Sequence, residues 1–225
     1  MVNDLGPRED LPLTLCAWSG KRLSADLRTA ISHIYIDSFP ASERIDIAAL
    51  FTGAELGHSL LCTAHQGDSV VGFSYSAPID ETGVQLLGYM AVDAAQRNHG
   101  VGSRLVAFLA KQLASDTAHR GILIEVESDQ GCPERMRALR ERRIRFYERN
   151  GAHLVDCIRD YRIPNLEDAN DEIAMKLLWL PRKAGRSERL QSPLLRECVL
   201  TILLRSYGLS EDCELIQRVL ASIVC

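Results

Sequence analysis

The segment VDAAQRNHGVGSRL, residues 92–105, contains two glycines two positions apart, in a polar turn between an apolar run and an amphipathic segment. Such a turn between a strand and a helix can bind an anion, because the free N–H groups at a helix start point outward. The helix dipole contributes about 0.3–1 kcal/mol toward a nearby negative charge. Gly100 and Gly102 have no Cβ atoms, so the backbone can approach phosphate oxygens closely. The sequence therefore predicts an anion-binding turn.

Two common phosphate motifs do not match this turn. The dinucleotide motif GxGxxG needs a third glycine where this chain has Leu105, and the Walker motif needs Gly-Lys followed by Ser or Thr after a longer loop. A strand, a GxG turn and a helix are a weak signal by themselves, since many such turns serve packing alone. The surrounding elements have to identify the anion.

The elements around the turn are predicted in the order β-αα-βββ-α-β-α-ββ, an α/β chain with a mixed (α+β) sheet and no regular βαβ repeat. Pro40 ends the first helix, and Ser42 is expected to cap a short second helix with Ile45, Ala49 and Leu50 facing inward. The strands are predicted at residues 13–18, 59–65, 69–77, 84–92, 121–128, 153–155 and 172–180. Two longer helices are predicted at residues 24–39 and 101–118, and a third, which is rich in arginine, ends at residue 150.

Two motifs in this order resemble those of the GNAT superfamily of N-acyltransferases. Arg97-x-x-Gly100-x-Gly102, preceded by LLGYMAVD, resembles the acyl-CoA pyrophosphate loop of that family. FYERNGA, residues 146–152, is similar to the second signature FYxxxGF, with Ala152 in place of the usual aromatic residue. The resemblance covers about residues 13–180 and implies the GNAT fold, an acyl-CoA co-substrate and transfer of the acyl group to an amine.

The resemblance also implies the residues that bind coenzyme A. Backbone amides from Arg97 to Ser103 would hold the pyrophosphate, and the fourth strand would pair with the pantetheine arm. Gly88, in the middle of that strand, marks either a bulge that opens the thioester slot or a packing position. His99 is interpreted as a turn residue. The coenzyme-binding prediction comprises Met90, Ala91, Val92, Arg97, Asn98, His99, Gly100, Val101, Gly102 and Ser103.

Acyl transfer to an amine needs a neutral nucleophile and a proton for the leaving thiolate. A lysine-like amine of pKa ~10.4 costs roughly 4.6 kcal/mol to deprotonate at pH 7, whereas an α-amine of pKa ~7.8 costs only about 1 kcal/mol. Tyr147 in FYERNGA matches the tyrosine that protonates the thioester sulfur in this family. The alternative for Tyr147 is a core aromatic residue beside Phe146.

Many family members carry their catalytic base, a glutamate, at the position where this chain has Gly88. The base therefore has to be sought among other carboxylates. Glu125 in LIEVES resembles the base of the ribosomal-protein alanine acetyltransferases, and Glu127 is the second candidate on the same strand face. Alternating acids on a strand usually lie on a solvent-facing side, and a salt bridge to the arginine-rich helix is a further alternative. Glu81, before the fourth strand, is a weaker candidate.

The acceptor side is predicted at residues 34–46, where SFPASER resembles an FPxxER element found in a subgroup of bacterial members with unassigned substrates. Phe39, Glu43 and Arg44 are the acceptor candidates from this segment, and Glu127 is a fourth. The alternative is that Glu43 and Arg44 form an ordinary charge pair at a helix start. Most arginines of the later helix are expected on a solvated face, with one or two reaching the 3′-phosphate of coenzyme A.

Composition excludes several other classes of protein. A net charge of −4 argues against a general nucleic-acid binder, and no apolar run reaches the ~20 residues that span a bilayer. The start of the chain shows no signal peptide. The seven scattered cysteines favour reduced thiols in the cytoplasm, and Cys225 is a candidate exposed thiol without an assigned function. No spacing of ligands predicts a metal site.

The chain is predicted to divide into a GNAT domain, residues 1–180, and a C-terminal extension, residues 181–225. PRKAGRSER, residues 181–189, would be a linker. A helical hairpin would follow, with one helix from Ser192-Pro193 to Gly208 and a second capped by Ser210. Its apolar stripe would be buried on its own domain or, less readily, on a partner subunit in a homodimer.

Three functions remain open on the sequence alone. The first is an acyl-CoA-dependent N-acetyltransferase that acts on a primary amine of a small molecule or peptide. The second is a variant that uses a longer acyl chain, in which burial of each extra CH₂ group would contribute ~0.8 kcal/mol to binding. The third is a non-catalytic acyl-CoA-binding module, favoured by the missing acid at Gly88 and by the extra hairpin, and disfavoured by Tyr147.

Overall fold

The computed structural model describes residues 12–168, 170–182 and 190–224. The strands are β1 (Leu13–Trp18), β2 (Leu60–Gln66), β3 (Ser69–Pro78), β4 (Val84–Val92), β5 (Gly121–Glu127), β6 (His153–Leu154), β7 (Tyr161–Pro164) and β8 (Glu172–Pro181). The helices are α1 (Ala25–Ser38), α2 (Ile47–Glu55), α3 (Val101–Leu113), α4 (Glu134–Arg149), α5 (Ser192–Thr201) and α6 (Glu214–Ala221). A π-helical turn, Ile202–Ser206, continues α5.

The eight described strands form one mixed sheet, in the order β1-β2-β3-β4-β5-β8-β6, with β7 also paired to β8. β4 and β5 run parallel, and the other described pairs are antiparallel. The mixed α/β sheet that the sequence predicts is therefore confirmed, and the first five strands match their predicted positions within two residues.

The two faces of the sheet carry different helices. Leu123 on β5 packs in one cluster with α5 and α6, whereas its neighbours Ile122 and Ile124 pack in another with α3 and α4. Phe73 on β3 packs against α1 and α2, and the preceding Gly72 lies against Leu105 of α3. Because successive residues of a strand point to opposite faces, α3 and α4 cover one face and the other four helices cover the opposite face.

β4 changes register at Gly88. Tyr89 pairs with Tyr75 and Leu87 pairs with Ser76, so Gly88 is an extra residue in β4 opposite β3. The parallel pairing of β4 with β5 also ends at this point, with Leu87 opposite Ile124. Of the two alternatives for Gly88, the bulge is the correct one. It turns Tyr89 toward the α1 side of the sheet, and it opens a gap between the carboxyl ends of β4 and β5.

Two predicted helix ends are wrong for local reasons. α2 begins at Ile47 after Asp46, whose side chain accepts the Ala48 N–H at 2.9 Å, while Ser42 lies in a 3-10 turn. Ile45 and Ala49 are exposed, so only Leu50 of the predicted inward set is buried. α3 ends at Leu113 and not at residue 118, because Asp116 accepts the Ala118 N–H and forms a turn.

The C-terminal segment also departs from the prediction in detail. α6 begins after Cys213 and not at Ser210. Pro181 belongs to β8 and pairs with Gly121, so it is not part of a linker; residues 183–189 of the predicted linker lie outside the described residues, as does Cys225. The prediction also lacked β7, a four-residue strand.

The hairpin of α5 and α6 buries its apolar side chains on the sheet of its own chain. Leu195, Cys198 and Leu203 are fully buried in one cluster with Leu177 and Trp179 of β8. The expectation that the stripe packs on its own chain is therefore correct. The hairpin and the sheet share a core, so each should contribute to the stability of the other.

We expect Leu195→Ala to lower the free energy of unfolding by about 2–5 kcal/mol in a single transition, because it leaves a cavity in this shared core. Urea unfolding followed by circular dichroism measures the change. Glu197→Ala, an exposed site on the same helix, should change stability by no more than about 0.5 kcal/mol. A main transition unaffected by Leu195→Ala would mean that the hairpin is an independent appendage.

Candidate active site

A cavity of about 1110 Å³ lies where β4 and β5 separate. Its wall is formed by β4, the glycine turn, β5 and α4, together with residues 37–45 and residues 205–207 of the C-terminal segment. The side chains from the acceptor segment, the predicted catalytic residues and the predicted coenzyme loop therefore meet in one space.

The glycine turn is held in position from both sides. The Arg97 Nε donates a hydrogen bond to the Val92 carbonyl oxygen at 3.0 Å, and the Asn98 Oδ1 accepts one from the Arg142 guanidinium on α4 at 2.7 Å. Asn98 and Gly100 both have left-handed backbone conformations, with φ of 68° and 78°. A side chain at position 100 would strain this backbone, which explains the glycine there.

The start of α3 leaves backbone amides open. The Arg104 N–H donates to the Gly100 carbonyl at 3.1 Å, and the amides of residues 101–103 precede this bond in the helix. Gly102 has a different role from Gly100, because a Cβ atom there would lie 3.1 Å from Cζ of Phe146. The small size of Gly102 allows α3 to approach α4, so the initial interpretation, that its missing Cβ leaves room for phosphate, is not needed to explain this glycine.

The cavity wall includes most of the predicted site residues. Arg44 and His99 are the two exceptions among them, and His99 fits its interpretation as a turn residue; the weaker base candidate Glu81 also lies outside the wall. The predicted residues that line the cavity are Phe39, Glu43, Met90, Ala91, Val92, Arg97, Asn98, Gly100, Val101, Gly102, Ser103, Glu125, Glu127 and Tyr147.

Tyr147 lines the cavity. The residue is 7% exposed, and its ring packs edge-on against Phe146 with centroids 5.0 Å apart. Its hydroxyl makes no hydrogen bond to any of the described residues, and burial raises its pKa to about 12. Tyr147 is therefore both a core aromatic residue, as one alternative proposed, and a neutral proton donor at the cavity.

Glu125 is largely buried, so the expectation of a solvent-facing acidic strand face is wrong. Its Oε1 accepts a short hydrogen bond from the Tyr161 hydroxyl, and its Oε2 accepts one from the Tyr207 hydroxyl at 3.1 Å. Burial raises the pKa of this carboxyl, and the two hydroxyl hydrogen bonds oppose that shift. The physical reason for the error is that β7 and the C-terminal segment cover this face of β5.

Glu127 has a different environment, although it lies only two residues from Glu125. It is 9% exposed, and its two oxygens accept hydrogen bonds from Arg140 at 2.6 Å and Arg143 at 2.5 Å. This is the salt bridge to the arginine-rich helix that the sequence left open. Because both of its oxygens are paired with guanidinium groups of α4, Glu127 joins α4 to β5.

The acceptor segment is bound to the sheet by tyrosines. The Tyr89 hydroxyl donates to the Glu43 carbonyl at 2.8 Å and accepts the Ile45 N–H at 3.2 Å. The Tyr89 ring also packs edge-on against Tyr35 and Phe39, at centroid distances of 5.0 and 5.1 Å. These contacts place the Glu43 carboxyl in the cavity wall, where burial and the charge of Glu127 raise its pKa to about 7.

Sequence reasoning missed three tyrosines of this site. Tyr89 follows Gly88 in the fourth strand, and only the bulge places its ring beneath the acceptor segment. Tyr161 and Tyr207 lie 36 and 82 residues from Glu125 in the chain, so no local pattern could have associated them with it.

The described residues lack a metal-ligand cluster and a membrane-spanning helix. They contain no group of three or more His, Cys, Asp or Glu side chains that could bind a metal ion. None of the described helices combines the length and apolar character needed to cross a bilayer.

Comparison with known proteins identifies the fold. Residues 57–151 match the family model described as an acetyltransferase (GNAT) domain, and no curated protein matches the chain. A solved structure described as a GNAT-family acetyltransferase from Bacteroides thetaiotaomicron is 22% identical, covers 88% of this chain and 99% of its own, and has a TM-score of 0.65. An aminoglycoside 6'-N-acetyltransferase complexed with coenzyme A is 18% identical, over 76% of this chain and 99% of its own, with a TM-score of 0.54. An alanine N-acetyltransferase of a ribosomal protein from Escherichia coli is also 18% identical, over 80% of this chain and 99% of its own, with a TM-score of 0.50.

Residues 57–151 therefore carry the GNAT acetyltransferase domain, and the fold of the chain is the GNAT fold. The class of enzyme that this domain defines is the coenzyme A-dependent N-acyltransferase. The resemblance seen in the sequence is confirmed at this level.

We expect Glu127→Gln to lower the free energy of unfolding by about 2–4 kcal/mol, because it leaves two arginines without their anion. Chemical unfolding at neutral pH measures the loss. Glu134→Gln is the control, since the Glu134 side chain is 82% exposed in its pair with Arg137 and should contribute no more than about 0.5 kcal/mol. Equal small losses in both variants would contradict a structural role for Glu127.

Proposed function

We propose that this enzyme transfers an acyl group, acetyl in the simplest case, from coenzyme A to the primary amine of a small molecule or peptide. One observation carries the proposal: a single cavity is lined by the open start of α3, by Tyr147 and by the largely buried Glu125. The start of α3 suits a diphosphate. Tyr147 and Glu125 suit the two proton transfers of the reaction, to the thioester sulfur and from the attacking amine.

The acyl-CoA site would extend from α3 to β4. The amides between Arg97 and Ser103 would bind the pyrophosphate, in line with the open helix start. Arg142 and Arg149 also line the cavity and carry the charge that a 3′-phosphate requires. The pantetheine amides would hydrogen-bond to residues 90–92 of β4, because β4 has no pairing with β5 beyond Leu87.

Tyr147 would act at the sulfur. Its raised pKa keeps it protonated at neutral pH, so that it remains a donor until negative charge develops on the leaving thiolate. In the overall reaction an ammonium group loses two protons as it becomes an amide. One goes to the base and then to solvent, and one replaces the acyl group on the sulfur, with Tyr147 as the donor to sulfur. The carbon–nitrogen bond forms and the carbon–sulfur bond breaks.

Glu125 would be the base. The strand position that bears the acid in many family members is Gly88 here, and Glu127 is held by two arginines. Glu125 makes no ion pair with any described residue, and its carboxyl has a raised pKa, both of which favour proton acceptance. Phe39 and Glu43 would contact the acceptor, whereas Arg44 lies outside the cavity wall.

A cytoplasmic location is part of the same proposal. All six cysteines in the described residues are free thiols, which favours a reducing compartment.

Gly100→Ala should weaken binding of coenzyme A about tenfold or more, because a strained turn misplaces amides that bind a charged group. Isothermal titration calorimetry with coenzyme A measures the affinity. Gly131→Ala is the matched control: Gly131 also has a positive φ, of 67°, with an equally open Cβ position, and it does not line the cavity. Equal affinities in the two variants, or no binding by the wild type, would contradict the coenzyme site.

Tyr147→Phe should lower kcat by about 10²–10⁴-fold and leave the affinity for coenzyme A unchanged. It should also leave stability unchanged, because the hydroxyl bonds to no described residue. Release of free thiol from acetyl-CoA and from octanoyl-CoA, across a panel of amines, measures turnover and acyl-chain preference. Binding of coenzyme A without turnover for any amine in the wild type would refute amine acylation.

A further inference from the structure

The chain after α5 brings a tyrosine to the acceptor end of the cavity. Residues 202–206 form a π-helical turn, in which the Tyr207 N–H donates to the Ile202 carbonyl at 3.3 Å. The buried positions before this turn follow helical spacing through Leu195, Val199 and Ile202. One extra residue in the turn moves the next inward position from 206 to 207, so that Ser206 is exposed and Tyr207 is partly buried. Residues 205 and 206 also line the cavity, and the π-helical turn places the Tyr207 hydroxyl within hydrogen-bond distance of Glu125.

We propose that Tyr207 is a positioning residue for Glu125, so that the C-terminal hairpin forms part of the acceptor site. The Tyr207 hydroxyl holds Glu125 Oε2 in the orientation from which it accepts the amine proton. This inference rests on the proposed acyl transfer, and it adds a role for the hairpin beyond packing.

The two hydrogen bonds to Glu125 are not equivalent. Tyr161 is 3% exposed and is absent from the cavity wall, so its bond to Oε1 lies on the protein side of the carboxyl. Tyr207 lines the cavity, and so does Glu125. Oε2 is therefore the oxygen next to the space that a substrate would occupy, and Tyr207 is the donor that an incoming amine would meet.

The surroundings of Glu125 leave these hydroxyls as its main source of stabilisation. Tyr161 faces it from β7, Tyr207 from the C-terminal segment and Tyr89 from β4, and the carboxyl of Glu43 acts on both Tyr89 and Tyr207. The nearby Arg205 is directed to Asp80, 3.9 Å away. With neutral donors and no cation partner among the described residues, the carboxylate is oriented and yet remains able to accept a proton.

The test is Tyr207→Phe, which removes the donor and keeps the ring. Loss of a hydrogen bond to the charged form raises the pKa of Glu125, so the acid limb of the kcat/KM profile should move to higher pH by about half a pH unit or more. A carbon-13 NMR titration of glutamate-labelled protein, with the Glu125 resonance assigned from Glu125→Gln, should show the same upward shift without any need for turnover.

Leu204→Ala is the control, because Leu204 packs in the same turn and lies outside the cavity wall. It should lower stability and leave both the pH limb and the Glu125 resonance in place, whereas a merely structural role for Tyr207 would make the two variants alike. An unmoved resonance in Tyr207→Phe overturns the inference, and so does a moved resonance with an unmoved pH limb. If the wild type acylates no amine, the proposed function fails, and the NMR titration still decides whether Tyr207 controls Glu125.

Discussion

The site depends on the place where β4 and β5 stop pairing. Leu87 and Ile124 form the last parallel pair, and the extra residue Gly88 turns β4 away immediately after it. β5 continues to pair with β8 as far as Glu127, so only its β4 side becomes open. One strand separation therefore leaves an unpaired edge of β4, brings the acidic end of β5 to the cavity, and directs Tyr89 toward the acceptor segment.

The two glutamates on β5 have the same side chain and different roles, because their neighbouring groups differ. Both lie on the same strand face and both are mostly removed from solvent. Glu127 meets two guanidinium groups from α4, and these ion pairs join the helix to the strand. Glu125 meets two phenol groups, which satisfy its oxygens without adding positive charge. Charged partners suit a structural anion, and neutral partners suit a group that exchanges a proton.

The C-terminal hairpin combines a packing role with a place in the site. Its apolar side chains complete the core on one face of the sheet, next to Leu123 and Trp179. The same segment then places Tyr207 against Glu125 through the π-helical turn. A rigid, buried support fixes the direction of a side chain better than a surface loop can. The shared core therefore holds Tyr207 in a defined orientation toward Glu125.

The sequence by itself determined the features that depend on local signals. The helix that begins near residue 24, the strand ending at Val92 and the glycine turn before Val101 follow from helical spacing, alternation and backbone freedom, all of which act over a few residues. Only the tertiary structure decided the environment of Glu125, the ion pairs of Glu127 and the contact of Gly102 with Phe146. Periodicity states which side chains share a face, whereas what covers that face depends on residues that are distant in the chain.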